Sequence, residues 1–323
     1  MKQGNTPTSM GRMLSMVWKA FKELNPKNVE TEAARRIRIG VVGPRELLQE
    51  TIDYLLRDDI AAYQQAEDIL LLISTPLQHE AMSLLGECDI VLRYGTTKDD
   101  LVAIDPKRIF LFSSTTDIPN VVRSILQSPD LGYIHLPLAR ALPAVRDDVA
   151  SEIIRTISIE NALFVVSTSF GNIIPNPLQV LASVAESAGD LVVLTANQVR
   201  MLFRLAAAFD KDLNYKQIYP EVLSILGAAF GWRTIARELV GKIPFGGGVV
   251  PKAAIAFAGT LAVGDGIVFY YTTGKRMTKE QMKERFDVGL EKGKATGAEI
   301  VGKFKDAYTK GISFMNKPGD ESG

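Results

Sequence analysis

The chain has 323 residues, of which 46% are apolar and 23% charged, a composition typical of folded domains rather than disordered segments. That length has room for roughly two domains of about 150 residues each. Lysine plus arginine and aspartate plus glutamate number 37 each, so no general basicity attracts nucleic acid and we expect no nucleic-acid partner.

Cysteine and histidine are too scarce for disulfide or metal chemistry. Cys88 is the one cysteine, which excludes an internal disulfide and fits a reducing, cytoplasmic compartment. His79 and His135 are the two histidines, and neither has metal-ligand spacing to Cys88. The N-terminus has no apolar segment followed by a small-residue cleavage site. We therefore expect no metal, no cofactor and no secretion.

Residues 1–34 form an N-terminal helix and a linker in this interpretation. Met10–Leu24 has the period of an amphipathic helix, with Trp18 and Phe21 on its apolar stripe and basic residues among them. Such a helix can lie on an anionic membrane surface, where Trp18 and Phe21 would be the membrane contacts. Docking against the rest of the protein is the interpretation that we favour for this helix, and the membrane surface is the alternative.

Residues 35–158 alternate short apolar runs with helical patterns, which predicts an α/β domain with a mostly parallel sheet. The predicted strands are Ile37–Val42, Ile69–Ser74, Asp89–Leu92, Ile109–Ser113 and Tyr133–Leu136. The predicted helices are Arg45–Leu56, Gln78–Leu85, Asp99–Val102, Asn120–Leu126 and Asp147–Ile157.

Residues 159–275 are apolar and helical in pattern, which predicts an all-α domain. Its helices are expected at Leu191–Phe209, Tyr219–Leu239 and Ala253–Gly274. Residues 276–323 are charged and read as one more helix with a frayed end. Thr278 and Gln281 have the spacing of a capping box at its start.

The strand that runs into Gly43 and then a helix is where nucleotide-binding folds place a phosphate loop. That loop needs a second glycine, a lysine and a Ser/Thr at fixed positions, so that backbone and cation surround the phosphates. Those positions fall on Leu48, Gln49 and Glu50. A bulky side chain, a neutral amide and a carboxylate stand where phosphate would bind, so we predict no working nucleotide site and no catalytic residue.

Residues 42–52 resemble the first loop of small Era-like GTPases, with its length kept and its key residues replaced. Ser74-Thr75-Pro76-Leu77 is similar to the D-T-P-G switch, with Ser74 at the magnesium aspartate and Leu77 at the phosphate-sensing glycine. Asp117 is the one match to the guanine-reading N-K-x-D. The resemblance implies a degenerate, P-loop GTPase-like domain. The segment between Arg57 and Glu67 is too short for the first switch of such a GTPase, and in this the chain departs from the family. An unrelated flavodoxin-like domain is the alternative.

The second half resembles the YcjF-type domain of unknown function, a bacterial helical module often fused to or encoded beside Era-like GTPases. The stretch from Leu194 through Tyr215, Gly231-Trp232-Arg233 and Lys242 to Lys252 carries this resemblance. It implies a GTPase as a partner and no known catalytic residues. A homo-oligomer is a further partner that the sequence leaves open.

Small residues recur every four positions on one predicted helix, at Ala254, Ala258, Ala262 and Gly266. This pattern predicts a face on which another helix packs closely. The same helix is long enough to span a bilayer, yet Asp265 near its middle costs about 2.5–3.5 kcal/mol on insertion. We therefore expect a bundle that is peripheral to, or partly inserted in, the cytoplasmic membrane face, with a wholly soluble bundle as the alternative.

These patterns together predict a membrane-associated, non-catalytic scaffold or adaptor whose partners are the membrane surface, inner-membrane proteins or a GTPase. Two alternatives stay open. One is an enzyme or small-ligand-binding protein that uses the crevice at the strand ends of the α/β domain, and the other is a small membrane-embedded protein.

Overall fold

A computed structural model describes residues 26–57, 59–169, 190–213 and 248–315. They belong to two compact units. The α/β unit comprises Pro26–Ile153 together with Phe203–Leu213, and the described residues of the helical unit are 154–169, 190–202 and 248–315. The return of Phe203–Leu213 to the α/β unit differs from the predicted boundaries. Buried side chains such as Phe203, and an ion pair between Arg204 and Glu32, account for it.

The α/β unit contains four parallel strands in the spatial order β2-β1-β3-β4. The strands are β1 (Ile39–Gly43), β2 (Leu70–Ser74), β3 (Ile90–Tyr94) and β4 (Ile109–Phe112). The helices up to the unit boundary are α1 (Pro26–Ala33), α2 (Arg45–Leu56), α3 (Ile60–Ile69), α4 (His79–Gly86), α5 (Ile118–Gln127), α6 (His135–Ala141) and the start of α7 (Arg146–Ser169).

The first four predicted strands are confirmed to within a few residues. All five residues of β1 are buried, as expected for a central strand covered on both faces. The all-parallel order is that of the first four strands of flavodoxin-like sheets. The coarse prediction of a parallel α/β domain followed by a helical region is therefore confirmed.

The predicted fifth strand at Tyr133–Leu136 is wrong. Tyr133 lies in a 3-10 segment that ends at Ile134, and Leu136 lies in α6, where most residues are buried. A short apolar run does not distinguish a buried strand from a buried helix, and here the helix forms. Helix α3 was not predicted, and its N-cap is Asp59, whose carboxylate accepts hydrogen bonds from the N–H groups of Ala61 and Ala62.

The helical unit continues α7 and adds three helices whose types were predicted. They are α8 (Asp190–Ala208), α9 (Val249–Thr273) and α10 (Lys279–Met315). Helix α9 ends at Gly274, whose φ of 69° and N–H bond to Tyr270 form a left-handed C-cap. The predicted capping box at the start of α10 is confirmed, with the Thr278 and Gln281 side chains bonding each other's backbone N–H. The predicted helices at Met10–Leu24 and Tyr219–Leu239 lie outside the described residues.

Candidate functional site

The crevice at the carboxyl ends of β1 and β3 is the place where an open parallel sheet binds ligands, because the strand order reverses there. In this sheet β2 lies on one side of β1 and β3 on the other. Gly43 and Tyr94 end these two strands, and Ser74 ends β2. The predicted site residues would have to face this crevice to bind a ligand.

The connection after β1 consists of Pro44 alone, because α2 begins at Arg45. Leu48, Gln49 and Glu50 lie in the first two turns of that helix and not in a loop. The prediction that a GTPase-type first loop keeps its length is therefore wrong. No glycine follows Gly43 up to the end of α2, and good helix formers fill positions 45–50, so nothing holds the backbone in an open loop.

Side chains fill the space beside Gly43. A Cβ built on Gly43 would lie 3.0 Å from the Cβ of Tyr94 and 3.9 Å from a methyl group of Leu48. Tyr94 in turn packs edge-on against Phe112, with ring centroids 5.7 Å apart. Leu48 is buried within the unit. The end of β1 therefore closes on apolar side chains.

The two polar residues that follow Leu48 are engaged with neighbours. The Asp53 carboxylate accepts hydrogen bonds from the Tyr63 hydroxyl, at 2.6 Å, and from the Gln49 amide, at 2.8 Å, and these two bonds lower the pKa of Asp53. Glu50 accepts a 3.0 Å hydrogen bond from the Thr115 hydroxyl, which joins α2 to the segment after β4. A carboxylate thus bridges the crevice where a phosphate-binding site needs a cation.

The other predicted positions also serve the fold. Leu77 packs against the core cluster that contains Leu85 and Val91, and Ser74 is the last residue of β2. The Asp117 carboxylate accepts hydrogen bonds from the backbone N–H groups of Ser113, at 2.8 Å, and Ser114, at 3.1 Å. These bonds lower the pKa of Asp117 and keep it ionised. Its carboxylate therefore caps backbone N–H groups and is not turned outward to read a guanine base.

Arg93 is a strand-end residue that the sequence reasoning missed. It lies on β3, 16% exposed, and its guanidinium forms a bidentate pair with Asp100, with Nη2 donating to Oδ2 at 2.6 Å and Nε donating to Oδ1 at 3.3 Å. The pair lines an open cleft of about 590 Å³ beside Thr75 and His79. An arginine inside the otherwise apolar run Ile90–Tyr94 was the available signal. Its charge is already neutralised by Asp100.

The predicted helix-packing face lies against α10, which runs antiparallel to α9. A Cβ built on Gly293 would lie 2.7 Å from the backbone oxygen of Ala254, and one on Gly289 would lie 3.0 Å from the Cα of Ala258. Ala262 is buried in the cluster around Phe286. Gly266, the last small residue of that face, lies opposite Met282, and Gly297 of α10 lies opposite Val250. The close approach predicted from the small residues of α9 is confirmed.

The other half of that interface, Gly289, Gly293 and Gly297, was not anticipated. Three glycines spaced by four in a helix interior each cost about 1 kcal/mol relative to alanine. Glycines that recur in a helix despite this cost indicate that a second helix approaches too closely for any side chain to fit between them. The outer face of α10 carries lysines and glutamates, including an exposed pair of Lys303 and Glu299. The resulting hairpin has an apolar member and a charged member.

A buried hydrogen-bonded triad joins three helices of the helical unit. The Asn161 amide on α7 donates to the Thr260 hydroxyl on α9, and the Asn197 amide on α8 donates to the Asn161 carbonyl, both at 2.7 Å. All three residues are at most 1% exposed. In an apolar interior such a chain of bonds fixes which positions of the helices face each other.

The residues of the four described ranges contain no group of three or more His, Cys, Asp or Glu side chains able to hold a metal ion. Among the same residues α9 is the one helix long and apolar enough to cross a membrane, and 56% of its most apolar stretch is buried inside the protein. The core helix of a soluble protein meets the same criterion, so α9 is compatible with either setting. Trp18 and Phe21 lie outside the described residues.

No relative was found. No protein-family model matches the chain, and no curated protein and no solved structure matches it either. The resemblances to Era-like GTPases and to the YcjF-type domain stay predictions from the sequence.

Proposed function

We propose that the chain is a non-catalytic scaffold or adaptor at the cytoplasmic membrane face, in which a pseudo-GTPase-like α/β unit holds a protein partner. The single observation that carries the proposal is the one-residue connection at Pro44 between β1 and α2. A nucleotide's phosphates need several consecutive backbone N–H groups in an open loop. Here the helix starts at once and its second turn places Glu50 across the crevice.

The crevice as a whole supports binding of a partner rather than turnover. Tyr94 and Leu48 fill the end of β1, Asp117 caps backbone, and Arg93 is neutralised by Asp100. Catalysis needs a group free to change its bonding at the reacting atom. In this crevice the charged groups named are all committed to bonds within the protein.

The membrane part of the proposal rests on α9 and on the basic amphipathic pattern of Met10–Leu24. Helix α9 packs its small-residue face on α10, whose outer side is charged, and its Thr260 side on α7. This packing favours a peripheral bundle over one that spans the bilayer. Inner-membrane proteins or a GTPase are the partners that the YcjF-type resemblance suggests.

Nucleotide titration tests the first half of the proposal. Purified full-length chain is titrated with GTP and with GDP in the presence of magnesium, and heat release is recorded by calorimetry. We expect no saturable binding. Micromolar affinity for either nucleotide would contradict the proposal, because it would require a phosphate site where α2 now begins.

Vesicle flotation tests the second half. Wild-type chain, a Trp18→Ser/Phe21→Ser variant and a Val102→Ser control are mixed with vesicles containing anionic lipid. Val102 is a suitable control because it is an apolar residue that is 87% exposed in the α/β unit. We expect wild type and the control to float and the double variant to stay in solution. Wild type that never floats, or a double variant that floats as well as the control, would overturn the membrane assignment, and crosslinking on intact membranes would identify the partner.

A further inference from the structure

Helix α7 buries a hydroxyl group that is not bonded to its own helix. Several other hydroxyls of the helical unit bond back to a carbonyl four residues earlier, as Ser169 does with Val165 and Thr260 with Ala256. Ser158 is 0% exposed, and its Oγ has no hydrogen-bond partner within the described chain. Burying a hydroxyl without a partner costs free energy, so folded proteins nearly always satisfy such a group.

Asn197 of α8 carries a second unpartnered atom in the same interior. Its amide nitrogen donates to the Asn161 carbonyl, but its Oδ1 accepts no hydrogen bond from the described residues. The side chain is 1% exposed, so bulk solvent does not reach this oxygen. An amide oxygen accepts hydrogen bonds, whereas the Ser158 hydroxyl can both donate and accept. The two unpartnered groups are therefore chemically complementary.

The positions of these two groups along α7 and α8 coincide closely. Ile154 of α7 lies against α9, because a Cβ built on Gly264 would lie 2.6 Å from its side chain. Ser158 follows Ile154 by four residues and precedes Asn161 by three, so all three lie on one face of the helix. Ser158 is thus about 4.5 Å along the helix axis from the residue that bonds Asn197.

The groups around this point are neutral, which decides the kind of ligand they suit. They are hydroxyls and amides, and the neighbouring charged residues, Glu160 on α7 and Arg200 on α8, form an ion pair with each other. A neutral site does not repay the dehydration of an ion, whereas a water molecule donates two hydrogen bonds and accepts two. The Asn161 carbonyl has a second lone pair, so a water beside it reaches three partners, the usual number for buried water.

We propose that one ordered water molecule is bound inside the helical unit, where it accepts a hydrogen bond from the Ser158 hydroxyl and donates one to Asn197 Oδ1. Its second hydrogen is directed to the Asn161 carbonyl. This water joins α7 to α8 one helical turn away from their direct bond, and two such points fix the rotation of each helix about its axis. The hydration site is independent of the scaffold function proposed above.

The sign of one substitution separates a bound water from a dry interior. Ser158→Ala removes the hydroxyl, and Ser151→Ala, at an exposed position of the same helix, is the matched control for helix propensity. If the water is present, it loses its donor, and we expect the unfolding equilibrium constant of Ser158→Ala to be about fivefold larger than that of the control. In a dry interior the same change removes an unsatisfied group, so a constant equal to or smaller than that of the control would overturn the proposal.

A double-mutant cycle tests whether Asn197 is the other partner. In the Asn197→Leu chain the water has lost its main acceptor, so adding Ser158→Ala should raise the unfolding constant by less than about twofold. An undiminished effect of Ser158→Ala in this background would mean that Ser158 has a different partner, and it would overturn the bridge.

A high-resolution crystal structure of the full chain tests the site directly. We expect a density peak within about 2.7–3.2 Å of both Ser158 Oγ and Asn197 Oδ1. A Ser158 hydroxyl bonded to the Ile154 carbonyl, with no peak between Ser158 and Asn197, would overturn the proposal. If either variant fails to fold, the crystal structure of the wild-type chain decides.

Discussion

The contact between α9 and α10 yields a sharp test with an internal control on the same helix. Gly293 and Gly302 are both interior residues of α10. A Cβ on Gly293 would lie 2.7 Å from the backbone oxygen and 3.0 Å from the Cα of Ala254, whereas a Cβ on Gly302 meets nothing within 4 Å. Alanine at either position gains the same helix propensity, about 0.5–1 kcal/mol.

The expected magnitudes follow from these distances. Gly302→Ala should raise the free energy of unfolding by that propensity gain. Gly293→Ala should lower it relative to Gly302→Ala by about 1–3 kcal/mol, because backbone atoms of Ala254 cannot rotate away and the two helices must separate. The propensity gain cancels in the comparison, so the difference reports the overpacking alone.

Two measurements on the full-length chain check the comparison. Urea unfolding followed by far-ultraviolet circular dichroism gives the stability difference, and hydrogen exchange of the α9 and α10 amides shows whether the loss is local to the hairpin. Equal stability of the two alanine variants would refute the close approach of α9 and α10. So would a Gly293→Ala variant whose exchange increases only in the α/β unit.

Three further outcomes are expected. Burial lowers the pKa of His135 below its ordinary 6.5, so the folded chain binds fewer protons than the unfolded chain and loses stability as the pH falls below about 6.5. In urea unfolding measured from ~pH 7.5 to ~5.5, His135→Gln should make this loss of stability smaller. Asn161→Leu leaves the buried Asn197 amide without its acceptor, whereas the Thr260 hydroxyl keeps its bond to the Ala256 carbonyl, and the change should cost about 1–3 kcal/mol. Adding Asn197→Leu should restore part of the loss in the same unfolding assay. Thr278→Ala removes the cap of α10 and should cost about 0.5–2 kcal/mol, seen as a lower melting temperature.

Secondary structure was predictable where one physical signal acted alone. The bounds of α2 follow from an amphipathic pattern that starts after Pro44, and the capping box at Thr278 is a local interaction between neighbours in sequence. The segment at Tyr133–Leu136 was not predictable, because an apolar run of four residues fits either a strand or a helix until its tertiary neighbours are known. Tertiary packing favours the helix α6 over a strand at this segment.

The candidate site was also predictable only in part. The absence of glycine and lysine at positions 48–50 predicted the loss of phosphate chemistry, but the length of the loop was inferred from resemblance and proved wrong at Pro44. The pairing of Arg93 with Asp100 and of Glu50 with Thr115 links residues far apart in sequence or on different elements. Such pairs depend on the fold and leave no periodic trace.

The α/β unit is discontinuous in sequence, and this affects its folding during synthesis on the ribosome. Residues up to Ile153 emerge from the ribosome first, but the unit also needs Phe203–Leu213, with Arg140 paired to Asp210 at 2.7 Å. Synthesis of residues 154–213 takes roughly 3–12 s at ~5–20 residues per second. For that interval the α/β unit lacks its last segment, so a nascent-chain truncation at residue 153 should stay protease-sensitive and one that exposes residue 213 should not.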